Sequence, residues 1–185
     1  MLYHDLVNNI CKDAIATFGK TLLSGHKDYQ HFDVICDDLL KEYLVNDVRK
    51  SEAFVGVFNK LQEGPALYWI EVISSTSKDE ILHAIRNYKS LEERRNAPAV
   101  KKRVADSAIL YVGKVKGHFW GRLVQHMGFN RSPNTQGLQL AHWGRNMKLK
   151  VKFHVLTFEE DMAPYMSILE LALAKELKPM LGKHR

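Results

Sequence analysis

The stretch from Lys148 to Val155 alternates without a break. Leu149, Val151, Phe153 and Val155 interleave with Lys148, Lys150, Lys152 and His154. Side chains on a strand point to opposite faces in turn, so one face is apolar and the other cationic. The pattern predicts a strand with one face on a core and a basic outer face. Partners are close by. Ala66 to Ile73 is aromatic and β-branched, and Ala108 to Val112 is a second such run, ended by Gly113. Ser77-x-x-Glu80 is a capping box that opens a helix running to about Arg95. Helices are also expected from Phe119 to Met127, stopped by Gly128, from Gly137 to Trp143, and from Asp161 to Leu177. Pro164 falls in the first turn of the last helix and Pro179 beyond its end. The order predicts an α+β fold, a small three-stranded antiparallel sheet flanked by helices, with too few strands for a doubly wound fold.

The first third reads differently. Tyr3, Leu6, Val7, Ile10, Ala14 and Phe18 recur at helical spacing, and Gly25 can end that helix. Val34, Ile35, Leu39, Leu40, Tyr43, Leu44 and Val48 continue helically, and Phe54, Val55, Phe58 and Leu61 follow a cap at Ser51. Gly64-Pro65 breaks the pattern. The expected organisation is a helical extension over 1–64 and a second domain over 65–185.

Composition narrows the class. The chain has 185 residues, 45% hydrophobic and 26% charged, which is globular composition. No run approaches the roughly 18 apolar residues of a membrane span. Met1-Leu2-Tyr3-His4-Asp5 lacks the basic and apolar regions of a secretory signal. Cys11 and Cys36 form no CxxC pair, and they read as reduced thiols of a cytoplasmic protein. Neither GxxxxGK[ST] nor GxGxxG occurs, so no nucleotide cofactor is indicated.

The charge is uneven. Residues 1–65 carry 7 basic and 10 acidic side chains, residues 66–185 carry 20 and 11. From Arg94 to Lys152 there are 13 basic residues and one acid, Asp106. Lys and Arg that displace counterions from phosphates drive binding, so the imbalance points to nucleic acid. The expected phosphate contacts are Lys101, Lys102 and Arg103 in a loop and Lys148, Lys150 and Lys152 on the alternating strand.

Two places invite chemistry. Glu170 is the only charged residue from Tyr165 to Ala174. A carboxylate on so apolar a helix either occupies a narrow solvent stripe or is buried with a partner, a metal or a raised pKa. Tyr111-Val112-Gly113-Lys114 ends a strand in polar side chains, and Arg122 and His126 share one helical face at i, i+4. Such a face suits a phosphate, or is a surface helix with scattered charges.

Taken together, these residues resemble the GIY-YIG nuclease superfamily over about 65–185. Ala66-Leu67-Tyr68 stands for its first motif and Tyr111-Val112-Gly113 for its second, followed by Lys114. Arg122 and His126 fall at the helix positions, and Glu170, Leu173 and Pro179 fit the glutamate motif. Gly182 stands where the family has an asparagine that ties down the chain end. The tyrosines are 43 residues apart, which would make the helix near 78–95 an insertion. The resemblance implies a DNA endonuclease hydrolysing phosphodiester bonds. Glu170 would hold one hard divalent cation, Mg²⁺ or Mn²⁺. Arg122 would clamp the scissile phosphate. Tyr68 would activate or position the attacking water, aided by Lys114, with Tyr111 and His126 bonding water or phosphate. The same fold without turnover would be a nucleic-acid-binding module. Other nuclease patterns fit less well. Glu176-Leu177-Lys178 matches the end of a PD-(D/E)xK site but falls on a helix end, and His118, Asn130 and His142 lack a tight ββα unit.

Overall fold

Four antiparallel strands form one sheet in the order β1-β4-β2-β3: β1 Asp28–Ile35, β2 Ala66–Val72, β3 Ile109–Val115 and β4 Lys150–Thr157. The structure is a computed structural model that describes residues 3–39, 52–61, 63–130 and 132–183. The helices are α1 Tyr3–Ser24, α2 Glu52–Lys60, α3 Lys78–Ser90, α4 Phe119–Met127, α5 Leu140–Trp143 and α6 Met166–Leu177, with a 3-10 turn over Glu160–Tyr165. The α+β class therefore stands. The helical run expected over 40–48 and the cap at Ser51 lie outside the described residues.

Several expectations need correction; Gly113, for one, does not end its strand but lies inside β3, which runs on to Val115. The sheet has four strands, because β1 pairs along its whole length with β4, from Asp28↔Thr157 to Ile35↔Lys150. Val34 and Ile35 are thus strand residues, and the segment before Gly64 is not all helical. Phe32, Val34 and Cys36 turn inward while Tyr29, His31 and Asp33 turn outward. That period of two is masked because its first inward residues are Asp28 and Gln30. Lys148 lies outside β4, with φ +53°, a left-handed backbone that cannot continue a strand. The helix expected from Asp161 begins as a 3-10 turn that contains Pro164, and regular α-helix starts only at Met166.

The two sheet faces bury different cores. On one, Tyr68, Ile70, Val151, Phe153 and Val155 pack with Ile81, Leu82 and Ile85 of α3, Phe119, Leu123 and Met127 of α4, and Leu140 and Trp143 of α5. On the other, Leu67 and Leu156 meet Phe158, Met162, Met166, Leu169 and Leu173, with Phe18 of α1 against Tyr165 at 5.3 Å. Ser77 and Glu80 complete the predicted capping box of α3. The basic face of β4 is matched by acids on its neighbours. Lys150 Nζ lies 2.9 Å from Asp33, Lys152 Nζ 4.0 Å from the same carboxylate, and His154 Nε2 3.0 Å from Glu71. Among the described residues no helix is long and apolar enough to cross a membrane.

A chain beginning at residue 65 loses β1, exposes the edge of β4 and removes Val34, Cys36 and Leu39 from the core. We expect it to aggregate or to melt well below the full chain by calorimetry. A soluble 65–185 fragment with the full-length melting temperature would contradict the role given to β1.

Candidate functional site

Tyr68 on β2 and Tyr111 on β3 project from the same face of neighbouring strands, with ring centroids 6.2 Å apart. Tyr68 stands opposite Gly113. A Cβ at Gly113 would sit 2.4 Å from the Tyr68 hydroxyl and 2.8 Å from the Tyr111 ring, so only glycine lets both phenols lie over β3. Helix α4 crosses above. Its Phe119, Leu123 and Met127 seat it in the core, and the same registration turns Arg122 and His126 onto the phenols.

The hydrogen bonds assign the protons. The Leu138 backbone N–H donates to His126 Nδ1 at 3.1 Å. Nδ1 is then an acceptor, so a neutral ring carries its proton on Nε2. Nε2 is 2.9 Å from the Tyr68 hydroxyl and must donate to it. Arg122 Nε also donates to that hydroxyl, at 3.4 Å. The Leu138 amide is held in place by Trp143, whose Nε1 donates to the Leu138 carbonyl at 2.6 Å.

Burial dominates the electrostatics. His126 has no exposed surface, and burial, then Arg122, hold its pKa well below the ordinary value. Tyr68 is also sealed from solvent. Its burial and the Tyr111 phenol push its pKa far above the usual range, against the pull of Arg122. Burial raises Tyr111 as well, again opposed by Arg122. Burial disfavours the Arg122 charge, but Tyr68 and Tyr111, both hydrogen-bonded to it, more than offset this. Arg122 Nη1 also donates to Gln125 Oε1 at 2.6 Å and to the Gln136 carbonyl at 3.2 Å. At neutral pH the site holds one fixed cation and two protonated phenols.

Beside this cluster lies an open cavity of about 320 Å³, lined by Tyr111 and Glu170 together with Lys89, Asn96, Gln136 and Lys183. Glu170, half-buried on α6, is close enough to act on both phenols, raising each. The chain end is tied down by backbone. The N–H groups of Met180, Leu181 and Gly182 donate to Ile109, Leu110 and Ala99 carbonyls at 2.9, 3.0 and 2.9 Å. Gly182, at φ +101°, takes a backbone conformation that an asparagine would adopt only under strain.

The cluster gathers Tyr68, Tyr111, Arg122 and His126, with Glu170 at the shared rim. Lys114 is not brought to the phenols. It follows Gly113 on β3, so alternation sends it to the other face, where Nζ donates to Ser167 Oγ. Arg122 fills the cationic role expected of it. Tyr68 is not at the mouth of the site either: its hydroxyl is covered, and Tyr111 is the phenol that lines the cavity. Lys101, Lys102 and Arg103 lie on the loop that leaves the cavity wall, whereas Lys150 and Lys152 face Asp33. Sequence reasoning missed Gln136, Lys89 and the Leu138 amide. Lys89 fastens the cavity wall by donating to the Ala97 and Pro98 carbonyls at 3.0 and 3.1 Å, a contact with no sequence signature.

Among the described residues no three His, Cys, Asp or Glu side chains gather as a metal site. Mg²⁺ keeps several waters and takes one or two carboxylates alongside phosphate oxygens. The Glu170 carboxylate on this open cavity therefore suits a cation that shares its ligands with a substrate. No protein-family model, curated protein or solved structure matches the chain.

The unfolded His126 ring takes a proton near pH 6.5, the native one only well below it. In that window the unfolded state binds more protons, so stability is lost as pH falls below 6.5, by up to about 1.4 kcal/mol per unit. Melting temperatures of the wild type and His126→Gln, followed from neutral to mildly acidic pH, should decline less steeply in the variant. Parallel declines would contradict a neutral buried imidazole.

Proposed function

We propose that the chain is a metal-dependent endonuclease of GIY-YIG type, hydrolysing phosphodiester bonds of DNA at the cavity between Tyr111 and Glu170. One observation carries the reading. A half-buried guanidinium, hydrogen-bonded to both phenols and to the Gln136 carbonyl, stands behind a cavity that Tyr111, Gln136 and the Glu170 carboxylate line. Buried cations that keep their charge suit phosphate recognition.

The roles follow from the chemistry of each group. Arg122 binds and orients the scissile phosphate, and its charge offsets the negative charge that grows on the phosphoryl oxygens. Tyr111 is protonated at neutral pH, so it orients the attacking water by hydrogen bonding and takes no proton from it. Tyr68 and His126 aim Arg122 from behind. Glu170 would hold the divalent cation, which when bound supplies Lewis-acid stabilisation to the phosphate and leaving oxygen. In the hydrolysis the water oxygen bonds to phosphorus and the ester P–O bond breaks. One water proton goes to the leaving hydroxyl, and the other remains on the phosphate monoester. The covered Tyr68 hydroxyl favours a second reading, a nucleic-acid-binding module of the same fold without turnover.

Plasmid nicking in Mg²⁺ separates the two. Wild type is expected to cut, and EDTA to stop it. Glu170→Gln should fold, bind DNA as well as wild type or better, and cut at least about 100-fold more slowly, the loss of roughly 3 kcal/mol of transition-state stabilisation. Arg122→Ala should lose both cleavage and affinity. DNA binding without Mg²⁺-dependent cleavage would select the binding module. Wild-type cleavage by Glu170→Gln would remove the metal role from this residue.

A further inference from the structure

A second concave surface adjoins the cavity and is more strongly charged than it. It is a groove of about 590 Å³ between the loop after Val100 and the C-terminal half of α6. Its charged lining residues are Lys101, Arg103, Lys175 and Lys178, and its floor is apolar, with Leu171, Ala174 and Pro179. Leu171 and Lys175 recur at i, i+4 on α6, and Lys178 follows as its left-handed cap at φ +50°, so the end of the helix brings both lysines to the groove. Among the described residues no carboxylate lies within ion-pair distance of these four cations, in contrast to Lys150 and Lys152, which face Asp33. Four cations gathered in one concave surface focus a positive potential that attracts a polyanion. Lys101 is half-buried, and that burial lowers its pKa.

The groove is fixed in shape. Val100 bridges Leu181, the Lys101 N–H donates to the Met180 carbonyl at 3.2 Å, and Gly182 donates to Ala99 at 2.9 Å. Those bonds clamp the loop against the end of α6. They also make the groove continuous with the Glu170 cavity, since the same loop and the same helix wall both. Lys183 and Lys89 carry the positive lining into that cavity. At 1.5 Å per residue, Lys175 lies about 7.5 Å along the helix axis from Glu170, with Lys178 just beyond the helix end. Duplex phosphates on one strand recur every 3.4 Å or so along the axis, so Lys175 stands about two phosphates from the carboxylate.

We infer that the groove between residues 101–105 and the end of α6 is the track for the nucleic-acid backbone, engaging phosphates flanking the one presented to Arg122 and Glu170. The inference rests on the DNA reading of the neighbouring cavity. It commits to a continuous phosphodiester chain, because four cations spread over two elements match a repeating charge better than a single ion. Lys101 and Arg103 bind phosphate together with the end of α6, whereas Lys150 and Lys152 face Asp33.

The test is a salt titration of affinity. Wild type and Lys101→Gln/Arg103→Gln/Lys175→Gln/Lys178→Gln are titrated with a short fluorescein-labelled DNA duplex at rising KCl, in EDTA so that nothing is cut. Each lost phosphate contact lowers the slope of log K against log salt by about 0.9, so the four-fold variant should lose between about 2 and 4 units of slope. The charge-keeping Lys101→Arg/Lys175→Arg/Lys178→Arg should keep the wild-type slope. Should the four-fold variant melt early, Lys175→Gln/Lys178→Gln, at two exposed positions, carries the same test with about half the loss. An unchanged slope in a protein whose wild type binds and cuts DNA overturns the groove and leaves the nuclease reading standing. A steep slope lost in the variant, in a protein that never cuts, supports the groove and ends the nuclease reading. No DNA affinity in the wild type, or saturable uptake of inorganic phosphate alone by ³¹P NMR, overturns the groove.

Discussion

The hydroxyl of Tyr68 is the point on which the site turns. It receives one hydrogen bond from His126 and one from Arg122, inside a core that excludes water. Each of those donors is constrained in turn. His126 is locked by the Leu138 amide, and Arg122 by Gln125 and the Gln136 carbonyl. Hydrogen bonds inside a water-free core are electrostatically strong, so the network resists rearrangement. Here the arrangement leaves Arg122 charged and half-buried, hydrogen-bonded also to Tyr111, which lines the cavity.

The fold serves this point from several directions. Gly113 removes the one side chain that would strike the hydroxyl. Trp143 fixes the loop that supplies the Leu138 amide. Backbone bonds from Met180 to Gly182 hold the end of the chain against β3 and the 99–101 loop. The same bonds shape both the Glu170 cavity and the cationic groove beyond it. Position is achieved by packing and backbone hydrogen bonds, and charge is left to a few residues at the rim.

The alternation around Val151 and Phe153 and the capping box at Ser77 were legible in sequence, because each is a local pattern with one structural solution. The spacing of Arg122 and His126 likewise put both on one helix face. β1 was not legible. Its inward positions open with Asp28 and Gln30, and Ile35 and Leu39 fit a helix as well as a strand until β4 is present to pair with. Lys114 was misplaced for a related reason: the sequence set it beside Gly113, but alternation alone decides that the two point apart. The burial of Tyr68 and the Leu138 bond to His126 depend on chain segments 58 and 12 residues away, and nothing local announces them. Likewise the acid facing Lys150 and Lys152, Asp33, comes from another strand, so the strand looked more cationic in sequence than it is in the sheet.

The proton on His126 tests the central arrangement most directly. Long-range ¹H–¹⁵N correlation spectra of the imidazole distinguish the two neutral tautomers and the charged ring. The account predicts a neutral ring protonated on Nε2 that stays neutral as pH falls through 6.5, the ordinary histidine value. A ring that titrates near 6.5, or one that carries its proton on Nδ1, would mean that Tyr68 is not held as described and that Arg122 is not aimed by it.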